Sequence, residues 1–220
     1  MSGWNLKELK GLIENIDNIE VHFERIKSIS RSMDLLQYHL YTAKKANDLI
    51  LPKNQREAIE LVFIPESKQD FAFETKLKIQ ANTLASIHTV RSIYDLFAQL
   101  VNGLLLIPPL PVYSCDFIKV TEKLPSSELK IYLKELSQSD EFLYINAFVN
   151  TIKHRNLVDF EASIKFDTGI SGVEFKAFSY SSRDFPAMWA EDVLKQSLSV
   201  KNAIVTAGTI LNKQFAIQNV

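Results

Sequence analysis

The sequence predicts a mainly α protein: a bundle of long antiparallel helices with one β-hairpin in its C-terminal half and a closing helix. Three observations lead there. Neither Gly nor Pro occurs from Leu12 to Leu51. Apolar residues recur at three- and four-residue steps over most of the chain, the spacing of one helical face. After Arg155 that spacing gives way to strict alternation, the period of a strand. With 220 residues and no internal repeat or linker-like tract, one domain with a sizeable core is expected.

The first helical stretch is expected over about 4–50, as one helix or as two broken near Ser28-Ile29-Ser30. Leu9, Leu12, Ile13, Ile16, Ile19 and Phe23 share one face, and Leu51-Pro52 stops the stretch because Pro disfavours helix in the residue before it. Residues 55–66 read equally as a short strand or a helical turn. The second long helix is expected over about 67–106, roughly 60 Å at ~1.5 Å per residue. Its stripe is Leu77, Leu84, Ile87, Val90, Tyr94, Phe97, Val101 and Leu104. Ile107-Pro108-Pro109-Leu110-Pro111 is an extended connector. Helices follow at about 114–123 and 126–137, the latter with hydroxyl caps at Ser126 and Ser127. Asp140 is expected to cap a helix over 141–155. Val158, Phe160, Ala162, Ile164 and Phe166, then Val173, Phe175 and Ala177, form the apolar face of a hairpin over about 157–180, turned at Gly169 and Gly172. Asp184 and Pro186 read as the start of the closing helix, about 186–212.

Composition excludes several classes. A net charge of −1 argues against a dedicated nucleic-acid binder, so any RNA contact needs a local basic patch. One cysteine, Cys115, permits no intrachain disulfide and reads as a structural thiol in a reducing compartment. The N-terminus lacks the basic-then-apolar pattern of a signal peptide, and the most apolar window, 93–111, is interrupted by polar residues and closed by prolines. A cytoplasmic protein without membrane partners is the expectation. Glu-x-x-His pairs, His-Glu-x-x-His, cysteine clusters, phosphate-loop glycine patterns and Gly-x-Ser-x-Gly are all absent. No metal and no cofactor is therefore expected.

The chemistry concentrates in Asn150-Thr151-Ile152-Lys153-His154-Arg155. Asn146, Asn150 and His154 are four apart and lie on one helix face. Amides and an imidazole beside a core are costly unless hydrogen-bonded. Two readings stay open. Either the cations complement the negative end of the helix dipole, or they form an anion or phosphate site with an imidazole able to act as acid or base near neutral pH. The second long helix offers partners: His88, Arg91, Asp95, Gln99 and Asn102 form a polar stripe in which Asp95 can hold Arg91 or His154.

Asn150-Thr151-Ile152-Lys153-His154 resembles the Arg-Asn-x-x-x-His signature of HEPN domains, helical bundles common in prokaryotic defence and toxin systems. The position of the signature arginine is Val149. The order of a His-x-x-Arg-Ser-x-Tyr-Asp helix (His88 to Asp95), an Asn-x-x-Lys-His-Arg helix (Asn150 to Arg155) and a hairpin also resembles a group of bacterial proteins. The resemblance implies RNA as a partner, a homodimer, and, in members that keep the arginine, metal-independent ribonuclease chemistry. Carried onto this chain, it makes His154, Arg155 and Asn150 the catalytic candidates: His154 the acid/base and Asn150 the orienting amide. Lys153 and Arg155 would bind phosphate, with His88, Arg91 and Asp95 behind them. The alternative is a non-enzymatic interaction module whose polar cluster organises a dimer or partner interface.

Overall fold

Capping side chains place most of the helix starts. The computed structural model describes residues 3–218, which form eight α-helices and five short strands. The Asn5 side chain accepts from the Glu8 amide and starts α1 (Leu6–Leu12). Asn54 does the same for α3 (Gln55–Val62), while Glu57 reaches back to accept from the Lys53 amide at 2.8 Å, a reciprocal capping arrangement. Asp116 caps α5 (Phe117–Lys123) and Ser127 caps α6 (Glu128–Gln138). The long members are α2 (Ile19–Ile50), α4 (Gln69–Leu105), α7 (Asp140–His154) and α8 (Ala190–Gln218). The long helices run antiparallel, as the sequence predicts.

Two compact units divide the chain, and each takes one part of α2, α4, α7 and α8. The first is built from residues up to Asp34, Thr89–Leu143, and Leu198 onward. Trp4 closes one side of its core. Its indole Nε1 donates to Asn212 Oδ1 at 2.9 Å, its ring meets Phe97 edge-on at 5.6 Å, and it lies flat against Gly208 of α8. A Cβ at position 208 would sit 2.1 Å from that ring, so only glycine permits the approach. Tyr94, Phe117 and Phe142 form a second aromatic group, with centroids 4.6–5.5 Å apart.

The second unit comprises Leu35–His88 and Tyr144–Ser197. Here β1 (Phe160–Lys165) pairs antiparallel with β2 (Ile170–Phe175), from Phe160 opposite Phe175 to Lys165 opposite Ile170. β5 (Met188–Trp189) joins the other edge of β2, giving the order β1-β2-β5. A separate hairpin pairs β3 (Phe178–Tyr180) with β4 (Arg183–Phe185) around Ser181 and Ser182. Both serines have positive φ, which suits the right-handed twist of a two-residue hairpin loop. Phe148 of α7 is fully buried against Phe175 and Phe178.

Several expected boundaries move. α2 passes unbroken through Ser28-Ile29-Ser30, with Ile29 fully buried; the break falls at residues 13–18, where Asn18 adopts φ 58°. Asparagine tolerates that left-handed conformation. Residues 55–62 are helical rather than extended. Helix α5 starts at Phe117, later than the expected residue 114, because Asp116 is its cap. Ser139, not Asp140, caps α7, its hydroxyl accepting from the Phe142 amide at 3.3 Å. The expected hairpin is two hairpins: the chain leaves the first sheet after Phe175, Ala177 is exposed, and Phe178 begins the second. Phe166, placed on the apolar face from sequence, is 83% exposed just past the end of β1. Asp184 and Pro186 do not start a helix. Asp184 lies in β4, where it accepts from the Ser179 hydroxyl at 2.6 Å, and Trp189 is a strand residue opposite Glu174. The closing helix begins at Ala190 and extends to Gln218.

Candidate functional site

Helix α7 carries the motif on its last two turns. Thr151 is buried and its hydroxyl donates to the Ala147 carbonyl at 2.9 Å; its own carbonyl accepts from the amides of Arg155 and Asn156, which closes the helix. Asn150 is half-buried and donates to Asn146 Oδ1 at 3.4 Å, so the two stacked amides satisfy one another in part. Val149, at the place of the resemblance's arginine, is 1% exposed and points into the core.

Beyond Thr151 the side chains turn outward. Lys153, His154 and Arg155 are all exposed. Arg155 is held: Nη1 donates to the Ser179 carbonyl at 3.0 Å and the guanidinium stands 5.3 Å from the Tyr180 ring centroid. It ties the end of α7 to β3. Lys153 has no carboxylate partner among the described residues, and its charge acts on His88 of α4. His88 is half-buried, and burial first, then the Lys153 ammonium, holds its imidazole below the ordinary pKa of 6.5. His88, Asn150, Lys153, His154 and Arg155 thus belong to one unit, within which the Lys153 charge is felt at His88.

Arg91 and Asp95 belong to the other unit. They pair with each other one turn apart on α4, and the Arg91 guanidinium lies 4.6 Å from the Tyr94 ring centroid. Asn102 serves the connector. It donates to the Leu110 carbonyl at 2.9 Å and accepts from the Leu110 amide at 2.7 Å, which pins the proline-rich turn against α4.

This unit also holds a polar cluster that the sequence reading missed. The His22 ring and Arg25 Nη1 close on Gly103, where a Cβ would come within 2.6 Å and 2.7 Å of them. His22 is 4% exposed, its Nδ1 has no hydrogen-bond partner among the described residues, and burial followed by the Arg25 charge lowers its pKa. Burial pushes the Cys115 thiol up, with the Arg25 charge opposing. One signal was available: Asp95, Gln99 and Gly103 are four apart, which extends the polar stripe of α4 to the glycine.

Two measurable consequences follow from the histidines. Burial disfavours protonation of His22 and His88 in the folded chain, so the unfolded chain binds protons more readily at both. Their contribution to stability is complete above pH ~6.5 and is lost as pH falls below it. Thermal melts across pH 5–8 should show that acid-side loss, reduced in His22→Gln and His88→Gln. Lys153→Met should raise the His88 pKa, read by NMR titration, yet leave it below 6.5 because burial is the larger cause.

Among the described residues, no group of three or more His, Cys, Asp or Glu side chains is disposed to hold a metal ion, and no helix is long and apolar enough to cross a membrane. Compared with known proteins, the chain matches no family model, no curated protein and no solved structure.

Proposed function

We propose that the protein is a HEPN-like domain that contacts RNA phosphate through the end of α7 without cutting the strand. The carrying observation is the exposure of Lys153 and His154 at a helix end where Val149 is buried. Lys153 supplies positive charge for phosphate, and the exposed His154 imidazole offers a ring N–H donor beside it. Arg155 anchors the helix end to β3, and Asn150 is engaged with Asn146. Cleavage of the kind the resemblance implies needs a guanidinium beside the imidazole, and the side chain at 149 faces the core. The cations also offset the negative end of the helix dipole. Affinity is therefore modest, on the order of 10⁻⁴–10⁻⁶ M at physiological salt, the range of sequence-independent binding.

The test is incubation of the purified chain with labelled RNA in EDTA, read for both binding and product. The expected result is salt-sensitive binding, weakened several-fold in Lys153→Ala/His154→Ala, with intact RNA. Binding unaltered by the double substitution contradicts the proposal. So does RNA cleavage that disappears in His154→Ala.

A second reading, an interaction module that forms a homodimer, draws on a different observation. Leu35, Tyr38, Tyr41 and Leu49 on α2, with Phe71 and Phe73 on α4, are each more than half exposed. Large apolar side chains left exposed on two helices of one unit favour this reading. Light scattering should then give a dimer that Tyr38→Ser/Tyr41→Ser converts to monomer; a wild-type monomer at high micromolar concentration rejects this reading.

A further inference from the structure

In the second unit, a pocket of about 220 Å³ opens between α2, the first sheet and the start of α8. Asn47, Leu51, Gly172, Val173 and Trp189 wall it, with Glu191 and Asp192 among its lining residues. Asn47 is the unusual member. It is 4% exposed, and its carboxamide makes no side-chain hydrogen bond among the described residues. The little exposure it keeps reaches the carboxamide oxygen and nitrogen, so the amide is open to the pocket it lines and free to bond a guest there. Trp189 is fixed beside it. Its backbone pairs with Glu174 in the sheet, and the Lys165 ammonium stands 4.8 Å from its ring centroid while also pairing with the buried Glu174 carboxylate. The lack of a side chain at Gly172 keeps the space between Trp189 and Leu51 open: a Cβ there would meet them at 3.5 and 3.7 Å.

We propose that this pocket binds a nucleobase bearing an exocyclic amine, adenine above all. One carboxamide offers a donor and an acceptor side by side, the complement of the adenine N6/N7 edge. The indole gives a flat base a surface to stack on. Glu191 and Asp192, both paired with the exposed Lys195, add carboxylates that accept from an amine and repel phosphate. The volume is below the ~300–1,000 Å³ of pockets that enclose drug-sized ligands; it suits one ring system, with any ribose and phosphate outside. The proposal goes beyond phosphate contact and does not depend on it, since the base carries no phosphate.

The experiment titrates adenosine, AMP and oligo(A) into the intact chain, followed by calorimetry and by tryptophan fluorescence. Adenosine is expected to bind saturably and more tightly than AMP, with quenching that disappears in Trp189→Phe. Asn47→Leu is expected to weaken binding at least tenfold at an unchanged melting temperature. Gly172→Ala, whose added methyl meets its neighbours at ordinary contact distance, narrows the pocket and keeps binding testable should Asn47→Leu fail to fold. Adenosine binding identifies a free nucleoside as sufficient. Binding of oligo(A) alone, lost in the pocket variants, identifies the base of a strand. No binding of either, or binding unaltered by both pocket variants, overturns the proposal. Because adenosine does not report on Lys153 or His154, failure here is distinct from failure of the phosphate contact.

Discussion

Val149→Arg is expected to unfold the protein rather than supply the arginine of the HEPN signature that this stretch resembles. Val149 is 1% exposed, on the face of α7 that carries the fully buried Ile145 and Phe148 toward the core. A guanidinium there brings a charge out of water and adds a long side chain to a filled space. Overpacking alone costs ~1–3 kcal/mol, and an unpaired buried charge adds several more. A loss of about 4–5 kcal/mol or greater is expected, enough to abolish folding in a domain of ordinary stability. Denaturant unfolding followed by circular dichroism checks it. Val149→Ile, which alters volume by one methylene, should fold with a loss of about 1 kcal/mol. A folded Val149→Arg with new ribonuclease activity would mean that α7 can present position 149 to solvent, and the account of a binding site without cleavage would fall.

The second large effect lies where Trp4 meets Gly208. Trp4→Ala is expected to cost ~3–5 kcal/mol, because it empties the space beside Phe97 and leaves Asn212 Oδ1 without its donor. Gly208→Ala should cost ~2–3 kcal/mol by a different route. Its methyl occupies space the rigid indole fills, so the ring and its hydrogen bond must move. The two effects share one contact and cannot add. In Trp4→Ala/Gly208→Ala the methyl enters the vacated space, and the double variant should be no less stable than Trp4→Ala alone. Urea titrations of all four proteins test this. Additive losses would show that the ring and the glycine do not share a contact.

The parts of the fold legible in the sequence were those with a sustained period. Along α4, Ile87, Val90, Tyr94, Phe97 and Val101 are all fully buried where the spacing put them. At the ends of the same stripe the pattern outlasts the packing: Leu77 is 52% exposed. What the sequence obscured depended on single residues with two uses. Asn18 can continue a helix or turn out of it, and the break near residue 18 rests on its left-handed conformation. Asp184-x-Pro186 reads as a helix start, yet here the aspartate belongs to a hairpin whose turn contains no glycine, so no local signal marked it.

The site divides in the same way. Spacing placed Asn146 and Asn150 side by side, and they do meet. It also showed that Lys153, His154 and Arg155 end an apolar helix, as they do. It could not show that Arg155 would be held by a strand twenty-four residues on. Nor could it show that His22 and Arg25 would gather on Gly103, or that a lone asparagine in α2 would be buried beside Trp189 with its amide unengaged. Those depend on which helices and strands become neighbours, information that no local pattern holds.

The central claim, that Lys153 and His154 meet RNA phosphate, is tested most directly by the salt dependence of binding. Anisotropy of a labelled single strand, measured from 50 to 200 mM salt, gives the slope of log K against log salt. Each phosphate neutralised on a single strand contributes about −0.7 to that slope. The account predicts that Lys153→Gln makes the slope shallower by about that amount and weakens binding to all sequences alike, with the melting temperature unchanged. A slope identical to that of the wild-type chain would place the phosphate contact elsewhere and contradict it.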